Sequence, residues 1–288
     1  MCPVRIEACD GEPIGGVVSG AVAFANQKGG VGKTTTVVNL AAELALGGSA
    51  VLVVDVDPQG NATSALGATR STAATSVYEG LLRLASATEL IVRGPIPRLD
   101  LIPSSLALAG AEIELVPLED RERRLADLLA DLAGRYEHVF IDCPPSLGLL
   151  TINALTAASE VIIPLQCEYL ALEGLTQLLA AIGLVRDNLN PDLAVGGVIL
   201  TMADRRTRLC LEVERDVRRH LDGRVYETVV PRSIRLSEAP SHGIPVARYS
   251  PSSRGAQAYR DLAREFLARR DGSLPGSHDV AAPAGAVA

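Results

Sequence analysis

Residues 26–36 read Asn-Gln-Lys-Gly-Gly-Val-Gly-Lys-Thr-Thr-Thr, and they hold both lysines of the chain, Lys28 and Lys33, among 27 lysines and arginines. Glycines at 29, 30 and 32 let successive backbone N–H groups turn inward around an anion without Cβ obstruction. Lys33 and Thr34 then place an ammonium and a hydroxyl where a helix begins, and the positive end of that helix adds to the attraction for phosphate. An apolar strand, a glycine-rich turn, Lys-Thr and a helix in register are the context a phosphate loop requires. Lys33 would reach the β and γ phosphates and Thr34 would bind Mg²⁺, with Gly29, Gly30, Val31, Gly32 and Thr35 completing the cradle. A compact ammonium on a flexible stem fits inside such a loop; a planar guanidinium does not.

Two further segments carry carboxylates at strand ends. Val-Leu-Val-Val-Asp-Val-Asp-Pro (51–58) ends in Asp55 and Asp57, and His-Val-Phe-Ile-Asp-Cys (138–143) ends in Asp142. Alternation along a strand puts Asp55 and Asp57 on one side, at the carboxyl edge where α/β proteins bind ligands. Carboxylates there can hold Mg²⁺ through its waters and orient an attacking water.

These residues need a scaffold, and the hydropathy pattern specifies one. Short apolar runs at 21–26, 50–57, 138–143, 160–165 and 195–201 are apolar on both faces, as strands covered by helices on both sides must be. Helical patterns at 34–46, 119–133, 169–188 and 207–221 lie between them. The order predicts an α/β fold: a doubly wound, mostly parallel sheet flanked by helices, in a single domain over residues 20–270. Residues 1–19 read as an irregular extension. The Gly/Pro/Ala-rich stretch 271–288 reads as a disordered tail.

Composition narrows the function. The chain has 288 residues, 48% of them hydrophobic and 3% aromatic, so its core is built from Ala, Val, Leu and Ile. No apolar run approaches the roughly 18 residues of a membrane span, and the N-terminus lacks the order of a signal peptide. Five cysteines without a CxxC spacing make a poor disulfide framework and point to a reducing cytoplasm. The net charge is −7, yet residues 201–260 hold twelve arginines against seven acidic residues, a local net of +5.

At Lys28 the sequence resembles the deviant Walker-A ATPases, whose loop reads KGGxGK[ST]. The segments NQKGGVGKTTTVVNLAAELA, DVDPQGNATSALG, IDCPPSLGLLTINAL, EYLALEGL and PRSIRLSEAPSHGIPVARYSPSSRGAQAYRDLAREF resemble the ParA/Soj branch of that family over residues 20–268. The resemblance implies a Mg²⁺-dependent ATPase of chromosome or plasmid partition, cytoplasmic and nucleoid-associated, without stable membrane association. It implies that ATP joins two copies into a homodimer that binds double-stranded DNA non-specifically. A ParB-like centromere-binding partner would stimulate hydrolysis. Residue by residue, it implies that Lys28 reaches the partner copy's phosphates and that Asp57 positions the catalytic water. Asp55 and Asp142 would support Mg²⁺, and Pro231–Arg232 would lie near the adenine. The extension is too short for the helix-turn-helix domain of larger plasmid relatives.

The arginine-rich segment supplies the DNA candidates, Arg205, Arg206, Arg218 and Arg235. No aromatic or base-reading motif accompanies them, so sequence-independent phosphate contact is the expectation. Two alternatives stay open. A MinD-like membrane-positioning ATPase would need a basic amphipathic C-terminal helix free to meet a bilayer, whereas the pattern at 252–270 is expected to pack on the sheet. A metabolic enzyme or electron carrier of this fold would need a second substrate pocket or cluster-ligating cysteines, for which Cys143 and Cys167 are the candidates.

Overall fold

The structure is a computed structural model and describes residues 20–68, 75–168, 171–221 and 223–272. The expected extension over 1–19, and all but the first two residues of the expected tail, lie outside them. In chain order the strands are β1 (Ala21–Phe24), β2 (Val51–Asp55), β3 (Val92–Arg93), β4 (Leu99–Ile102), β5 (His138–Asp142), β6 (Glu160–Gln166) and β7 (Ala194–Thr201). They form one seven-stranded sheet of order β3-β4-β2-β5-β1-β6-β7, parallel throughout except for the short antiparallel edge strand β3. The fold is the doubly wound, single-domain architecture that the run of apolar strands predicts.

Period-two alternation divides the core into two layers. Ala21, Ala23, Leu52 and Val54 face one side, while Val22, Phe24, Val51 and Val53 face the other. On the second side lie helices Lys33–Leu46 and Arg254–Arg270, so the latter packs on the sheet as expected. All three phenylalanines of the chain meet there: Phe24 to Phe140 at 5.1 Å and Phe140 to Phe266 at 5.6 Å between ring centroids, both edge to face. Such pairs add about 0.5–1.5 kcal/mol beyond burial, which concentrates the aromatic contribution under the phosphate loop's own strand.

Several element boundaries differ from expectation. The helix expected over 119–133 is Arg124–Ala130, because Asp120 takes a left-handed conformation (φ 54°) and turns lead up to residue 123. β2 stops at Asp55, so Asp57 belongs to the turn that follows, not to the strand. Strand β4 and helices Leu108–Leu115 and Leu149–Ala157 had no clear pattern. β4 has four residues between prolines 97 and 103, and helix Leu149–Ala157 is buried over most of its surface, so it lacks a polar face to mark its period.

Candidate functional site

The loop between β1 and helix Lys33–Leu46 stands at the carboxyl edge of the sheet, where Phe24 pairs with Asp142 of β5. Gly30 (φ 76°) and Gly32 (φ 86°) hold left-handed conformations that a Cβ would strain. Those two glycines turn the loop, and Gly32 also caps the helix. Asn26 fixes the loop's start: its amide donates to the Pro164 carbonyl (2.8 Å) and its Oδ1 accepts from the Lys28 N–H (2.9 Å). Thr201 ties down the middle through a 2.7 Å bond to the Val31 carbonyl. Sequence reasoning did not single out Asn26 or Thr201, since each acts on a segment more than a hundred residues away.

Lys33 is buried and its ammonium donates to the Lys28 carbonyl at 3.3 Å. Burial lowers its pKa, against the pull of Asp142 and Asp57. An ammonium already stripped of water and lacking a contact ion pair is ready to bind a phosphate oxygen.

Beneath it the carboxylates separate into distinct roles. Asp142, fully buried, accepts from the Thr34 hydroxyl at 2.7 Å through Oδ2, while its Oδ1 has no hydrogen-bond partner. Asp55 pairs with it across β2 and β5. Desolvation first, and then mutual repulsion, raise the pKa of Asp142; desolvation does the same for Asp55. Two neighbouring buried carboxyls, an orphan oxygen and a threonine hydroxyl form a donor set suited to a hard divalent cation, directly or through its waters. Asp55 is the more committed of the two. Its oxygens accept from the Thr63 N–H and hydroxyl, both at 2.7 Å, and from the Asp57 N–H at 3.2 Å, so it organises the loop after β2.

That loop presents Asp57. Its carbonyl accepts from the Ser104 hydroxyl (2.6 Å) and the Gly60 N–H (2.8 Å), and its Oδ1 accepts from the Gln59 N–H (2.9 Å). Thus clamped, Asp57 lines a cleft of about 400 Å³ together with Gly29, Gly30, Gly32, Lys33, Thr34 and Thr35. An adjoining pocket of about 430 Å³ shares Gly32, Thr35, Met202 and Pro240 with this cleft and is walled by Pro231, Arg232 and Ile234. The two spaces are similar in size; the first is lined by the loop glycines, Lys33, Thr34 and Asp57, the second by Pro231, Ile234 and Leu236. Pro231 and Arg232 both line this second space. Met202, Ile234 and Pro240 are additions that only the packing reveals.

Lys28 is exposed and does not line the cleft, and its ammonium pairs with Glu168 just beyond β6. Gly29 beside it is exposed, and a Cβ there would touch only Pro145 Cβ, at 4.0 Å.

The candidate DNA arginines are all in ion pairs. Arg206 grips Asp204 through two bonds (2.7 and 2.8 Å) and Arg205 pairs with Glu214 (2.7 Å). Arg235 pairs with Glu238 at 2.7 Å. Arg206 is 89% exposed, and Arg205 and Arg235 are more than half exposed. Exposed pairs are worth about 0–1 kcal/mol, so a phosphate can displace the carboxylate. Arg218 is different. Only 26% exposed, it is held by Glu214, Glu227 and the Tyr226 carbonyl, at 3.3, 3.2 and 3.1 Å, and braces the fold from within. Arg205, Arg206 and Arg232 border a groove of about 850 Å³ that meets the second pocket at Pro231 and Arg232.

Cys143 is wholly buried with its sulfur toward the Ile141 carbonyl, so it cannot present a ligand for a cluster shared between subunits. Among the described residues, no helix is long and apolar enough to cross a membrane.

A parallel sheet with this loop, and with Thr34 and Asp142 joined below it, defines a P-loop nucleotide-binding protein, and residues 19–195 match the family described as AAA domain. Within that class the chain belongs to the Soj/ParA family of chromosome-partitioning ATPases. It is 55% identical over 247 residues to the sporulation initiation inhibitor protein Soj of Bacillus subtilis strain 168, covering 86% of this chain and 98% of that protein. It is 50% identical over 250 residues to the chromosome partitioning protein ParA of Caulobacter vibrioides, covering 86% and 94%. Its fold is similar to the crystal structure of cobyrinic acid a,c-diamide synthase from Mycobacterium smegmatis with bound ADP and magnesium, at 40% identity and a TM-score of 0.78, covering 89% of this chain and 98% of that one.

Proposed function

We propose that this partitioning ATPase binds Mg-ATP in the loop of residues 28–35, pairs with a second copy in that state, and holds double-stranded DNA without regard to sequence. A ParB-like centromere-binding protein would stimulate hydrolysis and reset it, in a cytoplasmic, nucleoid-associated cycle. Lys33 and the loop N–H groups hold the phosphates, and the base lies against Pro231, Arg232 and Met202. Thr34, Asp142 and Asp55 would hold magnesium, which would supply charge neutralisation at the phosphates. Asp57, fixed by Ser104 and Gly60, orients the attacking water.

The observation that carries the dimer is Lys28. A second lysine that leaves its own cleft, on a rim flanked by an exposed glycine, has no phosphate of its own to serve. In the ATP dimer it leaves Glu168 and enters the facing loop. Joining two arginine faces doubles the phosphate contacts, and log affinity for DNA scales with that number. The test is light scattering and DNA retention at ~0.1 M salt, with and without ATP. Equal DNA retention in both states, or no ATP-dependent gain in mass, would overturn the reading.

The similarity to a diamide synthase raises an amide-forming ligase as the other activity. The identity to a partitioning protein is higher, 55% against 40%. The partitioning reading therefore stands.

A further inference from the structure

Asp55 ends β2 and Asp57 follows it in the turn, and two hydroxyl side chains from elsewhere tie them into one ring. Thr63 Oγ1 donates to Asp55 Oδ2 at 2.7 Å and accepts from the Ser104 N–H at 2.9 Å. The Ser104 hydroxyl donates to the Asp57 carbonyl at 2.6 Å, and the Asp57 N–H donates back to Asp55 Oδ1 at 3.2 Å. Asp55, Thr63 and Ser104 are wholly buried and Asp57 is nearly so. In such surroundings a hydrogen bond is stronger than in water, and losing one member of a closed network is costly.

Ser104 is itself held on both sides. It lies just beyond β4, where the Pro103 carbonyl accepts from the Val77 N–H at 2.8 Å and the Ser105 hydroxyl accepts from the Ser76 hydroxyl at 2.9 Å. Ser76 is the capping residue of helix Val77–Leu81, so the ring is anchored in packed structure. Neither Thr63 nor Ser104 lines the cleft, whereas Asp57 does. With Oδ1 of Asp57 fixed by the Gln59 N–H, the ring and this bond together set where the carboxylate stands.

We propose that Thr63 and Ser104 are positioning residues for ATP hydrolysis, a strut that carries the placement of Asp55 through to the Asp57 carboxylate. Ser104 acts on the chemical step and not on nucleotide affinity, because it holds Asp57 from outside the cleft. Without its hydroxyl the Asp57 carbonyl keeps only the Gly60 N–H, which satisfies it yet lets the turn rotate. A misplacement of about 1 Å can cost about 10²-fold in rate. The inference rests on the reading of Asp57 as the residue that orients the attacking water.

The experiment measures phosphate release, and Mg-ATP affinity by calorimetry, on the full chain. The variants are Ser104→Ala, Thr63→Val, Thr63→Ser, Asp57→Ala and the double variant Ser104→Ala with Asp57→Ala. Ser104→Ala should lower kcat by about 10-fold or more at wild-type ATP affinity. Thr63→Val, which also strands the buried Ser104 N–H, should lower kcat likewise. Thr63→Ser keeps the hydroxyl and should recover most of that loss. In the Asp57→Ala background the Ser104 change should have no further effect, since it acts through that carboxylate; a merely structural role would lower the rate again. Should Thr63→Val fold poorly, Ser104→Ala keeps the test valid, because the Asp57 carbonyl retains Gly60. Wild-type kcat in Ser104→Ala, a loss confined to ATP affinity, or an additive loss in the double variant would overturn the strut and leave the role of Asp57 standing. Wild-type turnover of Asp57→Ala would instead overturn the reading on which the strut rests.

Discussion

Lys28 and Glu168 are separated by 140 residues and meet as an ion pair on the rim of the phosphate loop, each side chain about half exposed. An exposed pair of this kind contributes about 0.2–1 kcal/mol, small enough to be exchanged for a phosphate contact. Lys28→Ala should bind ATP as a monomer and form no ATP dimer. Glu168→Gln frees the ammonium and should lower the protein concentration for half-dimerisation by up to about thirtyfold, the equivalent of ~1 kcal/mol for each of the two lysines in the dimer. Light scattering against concentration reads both, and full ATP dimers of Lys28→Ala would remove the lysine from the interface.

Gly29→Val separates interface from fold. A Cβ here meets only Pro145 within this chain, at 4.0 Å, so the thermal midpoint and monomer ATP binding should stay near wild type. Close approach of a second copy should fail. Loss of ATP binding in the variant would instead place Gly29 in the phosphate cradle alone.

Lys33→Ala and Thr34→Ala should each abolish productive Mg-ATP binding. The first removes the desolvated ammonium; the second removes the hydroxyl that donates to Asp142 and faces the cation site. Titration calorimetry with and without magnesium checks both. Unchanged Mg-ATP affinity in both variants would mean that nucleotide binds elsewhere.

The two carboxylates at the end of β2 and just beyond it should separate in their effects. Asp57→Ala should keep ATP binding and stability but slow hydrolysis by about 10²-fold or more, because water positioning is lost. Asp55→Ala should also lower the thermal midpoint. It strands the buried Thr63 and Asp57 N–H groups, and each unsatisfied donor costs about 1–3 kcal/mol. Equal melting temperatures for the two variants would contradict this division.

Arginines of the DNA face should fall into two groups. Arg206→Ala and Arg235→Ala should weaken DNA binding across sequences and reduce the slope of log affinity against log salt by about one each, with ATP affinity unchanged. Arg218→Ala should act first on stability, since it releases Glu214, Glu227 and the Tyr226 carbonyl together. Filter binding over a salt series, with thermal melts in parallel, distinguishes them.

Local chemistry determined much of this in the sequence alone. Gly30, Gly32, Lys33 and Thr34 are contiguous, so their spacing states the phosphate loop directly. Asp142 follows the apolar run Val139–Phe140–Ile141, which marks the end of a buried strand. Residues joined across the chain could not be read that way. Glu168 meets Lys28 only because β6 lies beside β1. Asp55 and Asp57 look alike in sequence, two residues apart; their different roles come from where β2 stops and from Thr63 and Ser104, which close the following loop. Arg218 looks like its neighbours until Glu214 and Glu227 close around it. Residue type and short spacing determine which groups can do the chemistry, whereas strand order decides which of them are buried, paired or left facing solvent.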